Sequence, residues 1–125
     1  LRPTRIYVKP ILSLMKNVSI KAMAHITGGG FYGNIPRIVP ENIQVIINSS
    51  TWLVPPIFKI LKRAALLDYR EMFETFNMGV GMVLILSESE VEHAIHCLRE
   101  AGLNAWELGY TATRSSDSED HVIIN

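Results

Sequence analysis

Residues 20–30 read Ile-Lys-Ala-Met-Ala-His-Ile-Thr-Gly-Gly-Gly. Apolar residues alternate with Lys21, Met23 and His25 in this stretch, which is the period of two expected of a strand with one buried face. We therefore predict a strand over residues 20–26 that places His25 on the opposite face. The glycines end this strand, because consecutive glycines let the backbone bend and expose amide N–H groups without a Cβ in the way.

Elsewhere in the chain, helical and extended patterns follow one another irregularly. Residues 79–86 are apolar on both faces, which is typical of a central strand. The other predicted elements are helices near 10–16, 55–66, 68–76 and from Ser87 or Ser89 to Gly102, a turn at 34–37, strands at 45–47, 104–110 and 121–124, and a polar loop at 113–120. Because strands and helices do not alternate regularly, we predict an α+β sheet packed against helices and not a doubly wound parallel sheet.

The helix predicted at 55–66 is amphipathic. It carries an apolar face and a basic face, made respectively of Ile57, Ile60, Leu61 and Ala64 and of Lys59, Lys62 and Arg63. We expect the basic face to point outward and the apolar face to pack inward. In the next helix, Met72 and Phe73 are expected to point inward as well.

The composition indicates one compact domain. The chain has 125 residues, of which 48% are hydrophobic, an ordinary proportion for a globular core. Its 12 basic residues balance 12 acidic ones, so no net charge favours nucleic acid or an anionic membrane as a partner. Apolar runs end well before the roughly 20 residues that cross a bilayer, and no basic-then-apolar leader opens the chain, so we predict a soluble, cytoplasmic protein. The single cysteine, Cys97, is expected to be ordinary packing.

The glycine run is the sharpest local candidate for a binding site. A turn such as Gly28-Gly29-Gly30 can cradle a phosphate or carboxylate, or it can be only a flexible turn that the topology needs. No lysine followed by serine or threonine stands behind it at P-loop spacing. His25 could donate to an anion or move a proton beside this turn, or it could be merely exposed at a strand end. Arg37 could contact phosphate through its planar guanidinium, the alternative being an ordinary surface arginine.

A second candidate site lies where residues 76–82 read Phe-Asn-Met-Gly-Val-Gly-Met. Glycines at positions 79 and 81 permit close approach of another group to the backbone. The Asn77 side chain could hold a substrate amide, or it could only end the preceding helix.

Two polar clusters are predicted to carry no chemistry. His93 and His96 stand three apart on a helix, a spacing that could suit two metal ligands. They lie opposite the apolar stripe and no third ligand is evident, so we predict a solvated face and no metal. Residues 115–120 lack the spacing of a calcium loop and are predicted to be a solvated loop.

Several stretches together resemble one known family. They are residues 3–8, 24–40, 52–56, 71–73, 75–82 and 116–118. With these, essentially the whole chain is similar to the C-terminal domain of the aminoimidazole ribonucleotide synthetase family, which implies a mixed β-sheet packed with helices. In that family an N-terminal ATP-binding domain forms much of a homodimer, and the C-terminal domain closes the active site at their junction. Since the chain begins at Leu1 without an initiator methionine, we expect residues 1–125 to be the C-terminal domain alone.

The resemblance also implies a reaction. Members of the family are ATP-dependent cyclo-ligases of purine biosynthesis, which convert formylglycinamidine ribonucleotide to aminoimidazole ribonucleotide and release ADP and phosphate. ATP activates the formyl oxygen as a phosphorylated imidate, and an amidine nitrogen then attacks to close the ring. ATP and magnesium are expected mainly from the N-terminal domain, so the chain alone is predicted to be inactive.

The same resemblance assigns roles to individual residues. Substrate or phosphate contacts are expected from Thr27, Gly28, Gly29, Gly30, Asn34 and Arg37, and catalytic or orienting roles from His25 and Asn77. The expected partners are formylglycinamidine ribonucleotide, the N-terminal domain and, for the full-length protein, a second copy. The alternatives are formylglycinamidine synthase, thiamine-monophosphate kinase and selenophosphate synthetase, which share the superfamily, or a non-catalytic interaction domain. Residues 24–40 and 75–82 fit the cyclo-ligase best.

Overall fold

The computed structural model describes residues 8–114 and 120–125. Residues 3–7 and 116–118, which carry part of the resemblance, and the greater part of the predicted loop at 113–120 lie outside the described residues. The helices are α1 (Val8–Met15), α2 (Gly30–Asn34), α3 (Pro56–Ala65), α4 (Tyr69–Thr75) and α5 (Glu88–Glu100), and the strands are β1 (Ile20–His25), β2 (Ile43–Ile47), β3 (Met82–Leu86), β4 (Gly109–Thr113) and β5 (Val122–Ile124). Two short 3-10 turns cover Pro36–Ile38 and Ser49–Thr51.

The described residues form two compact units, each with its own packing. The first unit comprises residues 8–23 and 84–107, and the second comprises residues 24–83, 108–114 and 120–125. The division between the units falls within β1 and within β3.

In the first unit, α1 and α5 share a small apolar core. Its buried members are Leu14, Val18 and Ala94, against which Ile20, Leu84, Leu86, Cys97 and Leu98 pack. Cys97 therefore serves as packing, as predicted. The Glu90 carboxylate accepts a hydrogen bond from the Ser19 backbone N–H at 3.3 Å, which ties the start of α5 to the segment after α1.

In the second unit, β2 is the centre of a three-stranded mixed sheet. It pairs antiparallel with β4, with Ile43 opposite Thr113 and Ile47 opposite Gly109. It pairs parallel with β5, with Val45 opposite Val122. The prediction of an α+β fold with a mixed sheet and packed helices is confirmed.

The predicted strand at 104–110 is wrong, since β4 begins only at Gly109. A Cβ at this glycine would overlap the carbonyl oxygen of Ile46, so only glycine lets the two backbones come together here. The Asn48 N–H donates to the Leu108 carbonyl at 3.0 Å, just before the ladder starts. Residues 104–108 are therefore irregular chain, and β4 runs as far as Thr113, the first residue of the predicted loop.

Two further predictions needed correction. The strand predicted at 79–86 begins at Met82, because a tight turn occupies the preceding residues, and within the described chain it pairs only with β1 and is not central. Helix α3 is where it was predicted, but none of its side chains is buried: Ile57 is 43% exposed and Ile60 60% exposed. Its amphipathic pattern is real, yet its apolar face is not covered within the unit. Met72 and Phe73 of α4 are buried as predicted.

Candidate functional site

The glycine run forms a tight turn and then a helix. The Gly30 N–H donates to the Thr27 carbonyl at 3.0 Å, and Gly29 adopts a left-handed conformation with φ of 95°. This is the backbone pattern of a type II turn, which favours glycine at its third position. Gly28 and Gly29 are exposed, and a Cβ at Gly28 would meet no atom within 4 Å. A ligand can therefore approach the backbone at the outer half of this turn.

Gly30 has a different environment from its two neighbours. It is buried, with φ of 59°. A Cβ here would overlap the Phe73 carbonyl oxygen and come within 2.8 Å of the Phe76 carbonyl oxygen. The glycine run was predicted to end the strand as a turn, but its third residue begins α2 and packs against the backbone at the end of α4.

The Asn34 side chain holds the turn from inside. Its Nδ2 lies 2.7 Å from the Gly30 carbonyl oxygen and 3.3 and 3.4 Å from those of Thr27 and Gly28. The Thr27 hydroxyl lies 3.5 Å from the Asn34 Oδ1. The amide nitrogen is thus shared among three carbonyls, and Asn34 shapes the turn. Its predicted contact with substrate stays a prediction.

Asn77 begins a second tight turn. The Val80 N–H donates to the Asn77 carbonyl at 2.9 Å, and the Gly79 N–H donates to the Asn77 Oδ1 at 2.9 Å. Met78 and Gly79 between them have φ of 54° and 94°. Two left-handed residues in succession are typical of a type I′ turn. The Asn77 side chain therefore braces this turn, while α4 itself ends at Thr75, with Phe76 as its C-cap. Its predicted catalytic or orienting role stays a prediction.

The two turns meet in the second unit. The Ile26 N–H, just before the glycine turn, donates to the Gly81 carbonyl just after the Asn77 turn, at 2.9 Å. Gly30 lies against the carbonyls at the end of α4, which leads into Asn77. The structure therefore brings together two of the stretches that carry the resemblance, 24–40 and 75–82.

His25 and Arg37 flank this pair of turns. His25 is exposed at the end of β1, two residues before the glycine turn, as the alternation predicted. Arg37 is exposed in the 3-10 turn that follows α2. Both side chains are accessible, and their roles stay predictions.

A charged cluster beside α2 escaped the sequence analysis. The Arg70 guanidinium lies 4.3 Å from the centroid of the Tyr32 ring. It also pairs with Glu74 at 3.0 Å and with Asp120 at 3.1 Å. Burial raises the pKa of Tyr32, an effect that the Arg70 charge opposes. The hydrogen bonds that Arg70 donates to the Glu74 and Asp120 carboxylates raise the pKa of Arg70. The four-residue spacing of Arg70 and Glu74 was the one signal in the sequence for this cluster.

Trp52 is a further residue of this region that the sequence did not single out. Its indole N–H donates to the Met78 carbonyl at 3.0 Å. Its ring lies 6.1 Å from that of Phe31 and 6.3 Å from that of Phe73, centroid to centroid. The sequence indicated only that residues 52–56 belong to the resemblance.

The described residues contain neither a cluster of metal ligands nor a helix that could span a membrane. His96 lies 3.0 Å from Glu100, whereas the His93 Nε2 lies 3.7 Å from the Cys97 Sγ, so the two histidines have different neighbours. No group of three or more His, Cys, Asp or Glu side chains that could hold a metal occurs in residues 8–114 and 120–125. None of the helices described is both long and apolar enough to cross a membrane.

Residues 1–121 match the family described as AIR synthase related protein, C-terminal domain. The match covers nearly the whole chain, including both turns, and the observed α+β fold is consistent with it. Several ATP-using enzymes share this family. The chain is a member of the AIR synthase related protein C-terminal domain family.

Proposed function

We propose that this chain forms the C-terminal half of the active site of an ATP-dependent cyclo-ligase, which converts formylglycinamidine ribonucleotide to aminoimidazole ribonucleotide. The observation that carries the proposal is the meeting of the two turns, because they contain the stretches that resemble the cyclo-ligase best. The glycine turn has open backbone at Gly28 and Gly29, and the Asn77 turn adjoins it through the hydrogen bond from Ile26 to Gly81.

The glycine turn suits the phosphorylated parts of such a reaction. Within the described chain, the N–H groups of Gly28 and Gly29 make no hydrogen bond to protein, and neither residue has a side chain in the way. A phosphate oxygen could therefore accept from the backbone at this point. Arg37 would add a guanidinium whose planar geometry matches phosphate.

Asn77 and His25 would act on the reacting groups. The Asn77 Oδ1 is occupied by the Gly79 N–H, while its Nδ2 makes no hydrogen bond among the described residues. That nitrogen would donate to an oxygen of the substrate and orient it for attack by the amidine nitrogen. His25, exposed beside the turn, would hold or move a proton as the ring closes and inorganic phosphate leaves.

The residues described here do not fit magnesium, which prefers carboxylate oxygens. The two turns offer backbone N–H groups and amide side chains, and no cluster of three acidic or metal-binding side chains occurs in the described residues. We propose that ATP and magnesium are held mainly by an N-terminal domain of the same protein, which would also supply the dimer contacts.

The test is a steady-state assay of ADP and aminoimidazole ribonucleotide. We expect the isolated 125-residue chain to fold but give no turnover, the full-length protein to turn over, and an added N-terminal half to restore activity to the chain. Positioning lost with half a site is worth several kcal/mol of barrier, on the order of a thousandfold or more in rate. Turnover by the isolated chain at the rate of the full-length protein would refute the half-site proposal.

The same assay separates the other members of the family. Thiamine monophosphate, selenide and formylglycinamide ribonucleotide with glutamine replace the cyclo-ligase substrate in parallel reactions. Consumption of ATP with one of these and none with formylglycinamidine ribonucleotide would assign the chain to that activity. Binding of a protein partner without consumption of ATP with any substrate would identify an interaction domain.

A further inference from the structure

The Asn77 turn has a backbone conformation that its own sequence does not favour. Met78 has φ of 54°, a left-handed conformation that residues other than glycine, asparagine and aspartate rarely adopt. Gly79, the other central residue, adopts φ of 94° without steric cost. Interactions from elsewhere in the fold must therefore stabilise the turn at Met78.

Those interactions come from the segment at 52–55. The Trp52 indole N–H donates to the Met78 carbonyl at 3.0 Å, and this carbonyl takes no part in the hydrogen bond that closes the turn. Pro55 packs against Gly79 so closely that a Cβ there would lie 2.6 Å from the Pro55 Cδ. The segment thus fixes both left-handed residues, Met78 by a hydrogen bond and Gly79 by contact.

The ring of Trp52 reaches the glycine turn as well. It is stacked on Phe31, with an interplanar angle of 21°, and meets Phe73 edge to face. Phe31 is fully buried and directly follows Gly30, the last residue of the glycine turn. Phe31 and Phe73 also contact each other, with centroids 5.1 Å apart. The Trp52 side chain therefore contacts both the ring of Phe31, which follows the glycine turn, and the backbone of the Asn77 turn.

We infer that Trp52 is a positioning residue that sets the Asn77 turn in register with the glycine turn. It acts through its N–H on the Met78 carbonyl and through its ring on Phe31, and it does not contact substrate itself. This role rests on the proposed function, in which the glycine turn holds a phosphorylated group and Asn77 orients the reacting oxygen. Without the indole N–H, the Met78 conformation loses its hydrogen bond and Asn77 loses its fixed orientation.

The decisive variant is Trp52→Phe, which keeps an aromatic ring for Phe31 and Phe73 but removes the N–H donor. Trp106→Phe is the matched control, because it makes the same change at the other tryptophan, which lies in the first unit. Both variants are made in the full-length protein. Hydrogen exchange of the backbone, followed by mass spectrometry of peptides that cover residues 77–81, measures the turn directly. We expect exchange there to speed up by about tenfold or more in Trp52→Phe and to stay unchanged in Trp106→Phe.

Steady-state measurements of kcat and KM then test whether the turn affects the reaction. We expect Trp52→Phe to lower kcat by about tenfold or more, with KM changed by less than about threefold. If Trp52 acts through Asn77, the double variant Trp52→Phe with Asn77→Ala should be no slower than Asn77→Ala alone. Lower yield or thermal stability with normal kcat per folded molecule, and costs that multiply in the double variant, would mean that Trp52 is only structural.

The two measurements separate this inference from the proposed function. If the full-length wild-type protein shows no cyclo-ligase turnover but exchange at 77–81 speeds up in Trp52→Phe, the proposed function fails and the positioning of the turn stands. If exchange at 77–81 is the same in Trp52→Phe and wild type, the inference fails whatever the activity.

Discussion

Gly28 and Gly30 are two residues apart and have opposite environments. Gly28 is exposed, and a Cβ on it would meet nothing within 4 Å. Gly30 is buried, left-handed and pressed against the carbonyls of Phe73 and Phe76. One run of identical residues thus contains an open half, which a ligand can reach, and a packed half, which the fold requires.

The difference shows why three adjacent glycines should not be given one role. At Gly30 the absence of a Cβ lets α2 pack against the end of α4, and this contact brings the two turns together. At Gly28 the absence of a Cβ leaves the backbone open to solvent. Substitutions in the two halves should therefore affect different measurements: stability in the packed half and activity in the open half.

The largest effect is expected in the packed half. Gly30→Ala should lower the free energy of unfolding by at least about 3 kcal/mol, because the Cβ overlaps the Phe73 carbonyl and φ of 59° disfavours an L side chain. The control is Gly33→Ala in the same helix, where a Cβ meets nothing within 4 Å and stability should stay equal or rise slightly. Urea denaturation of the two variants measures both. Equal stabilities would show that α2 does not pack on α4 as described.

The next effect concerns the open half. Gly28→Val should leave the free energy of unfolding within about 1 kcal/mol of wild type, since φ at this glycine is not positive and the space is empty. If the chain acts as proposed, the substitution should lower kcat/KM of the full-length protein by about tenfold or more, equivalent to about 1.4 kcal/mol, because the side chain would keep a phosphate from the backbone. Urea denaturation measures the free energy of unfolding, and steady-state kinetics measure kcat/KM of the same variant. Wild-type kcat/KM in a folded Gly28→Val enzyme would exclude the outer half of the turn as a ligand contact.

The turn that contains the open half can be destabilised without a change to its glycines, through Asn34. Asn34→Ala removes the shared donor to the carbonyls of the turn and should cost about 1 kcal/mol of stability, since water can replace part of these bonds. Asn17→Ala is the control, because among the described residues its Nδ2 makes a single long bond, 3.4 Å to the Ser13 carbonyl. Chemical denaturation compares the pair. A loss no larger than that of Asn17→Ala would mean that the Asn34 amide does not hold the turn.

The local pattern of the sequence predicted most of the secondary structure. Helix α5 was predictable because its apolar stripe, its serine at the N-cap position and its closing glycine all lie within one stretch of chain. Strand β1 followed from alternation alone. Elements were misplaced where a distant partner sets the boundary: β4 starts where Gly109 meets Ile46, and β3 starts after a turn that Trp52, 26 residues before Met78, stabilises.

The sequence pointed to the residues of the candidate site, whose roles stay predictions, but not to their arrangement. The glycine run and the Asn77 stretch were identified separately, and only the fold shows that they adjoin. The sequence gives no sign that Gly30 is packed or that the Asn34 amide is shared among three carbonyls, since both follow from the path of the backbone. The contact of Arg70 with Asp120 joins residues 50 apart and was equally invisible.

The smallest change in stability is expected where Arg70 of α4 covers the Tyr32 ring on the surface of α2. Arg70→Met removes the guanidinium that covers Tyr32 and pairs with Glu74 and Asp120. The side chains in these ion pairs are about half exposed, so solvent screens them and the loss should be about 0.5 kcal/mol at low salt. The loss should shrink as sodium chloride rises towards 1 M, where the Debye length falls to about 3 Å, and the part due to contact with the Tyr32 ring should persist.

Arg63→Met on α3 is the control, because Arg63 makes no ion pair within residues 8–114 and 120–125. Unfolding free energies of both variants at low and high salt measure the difference. A loss above about 2 kcal/mol that salt does not reduce would show that Arg70 braces α2, and with it the packed half of the glycine run, more firmly than an exposed ion pair can.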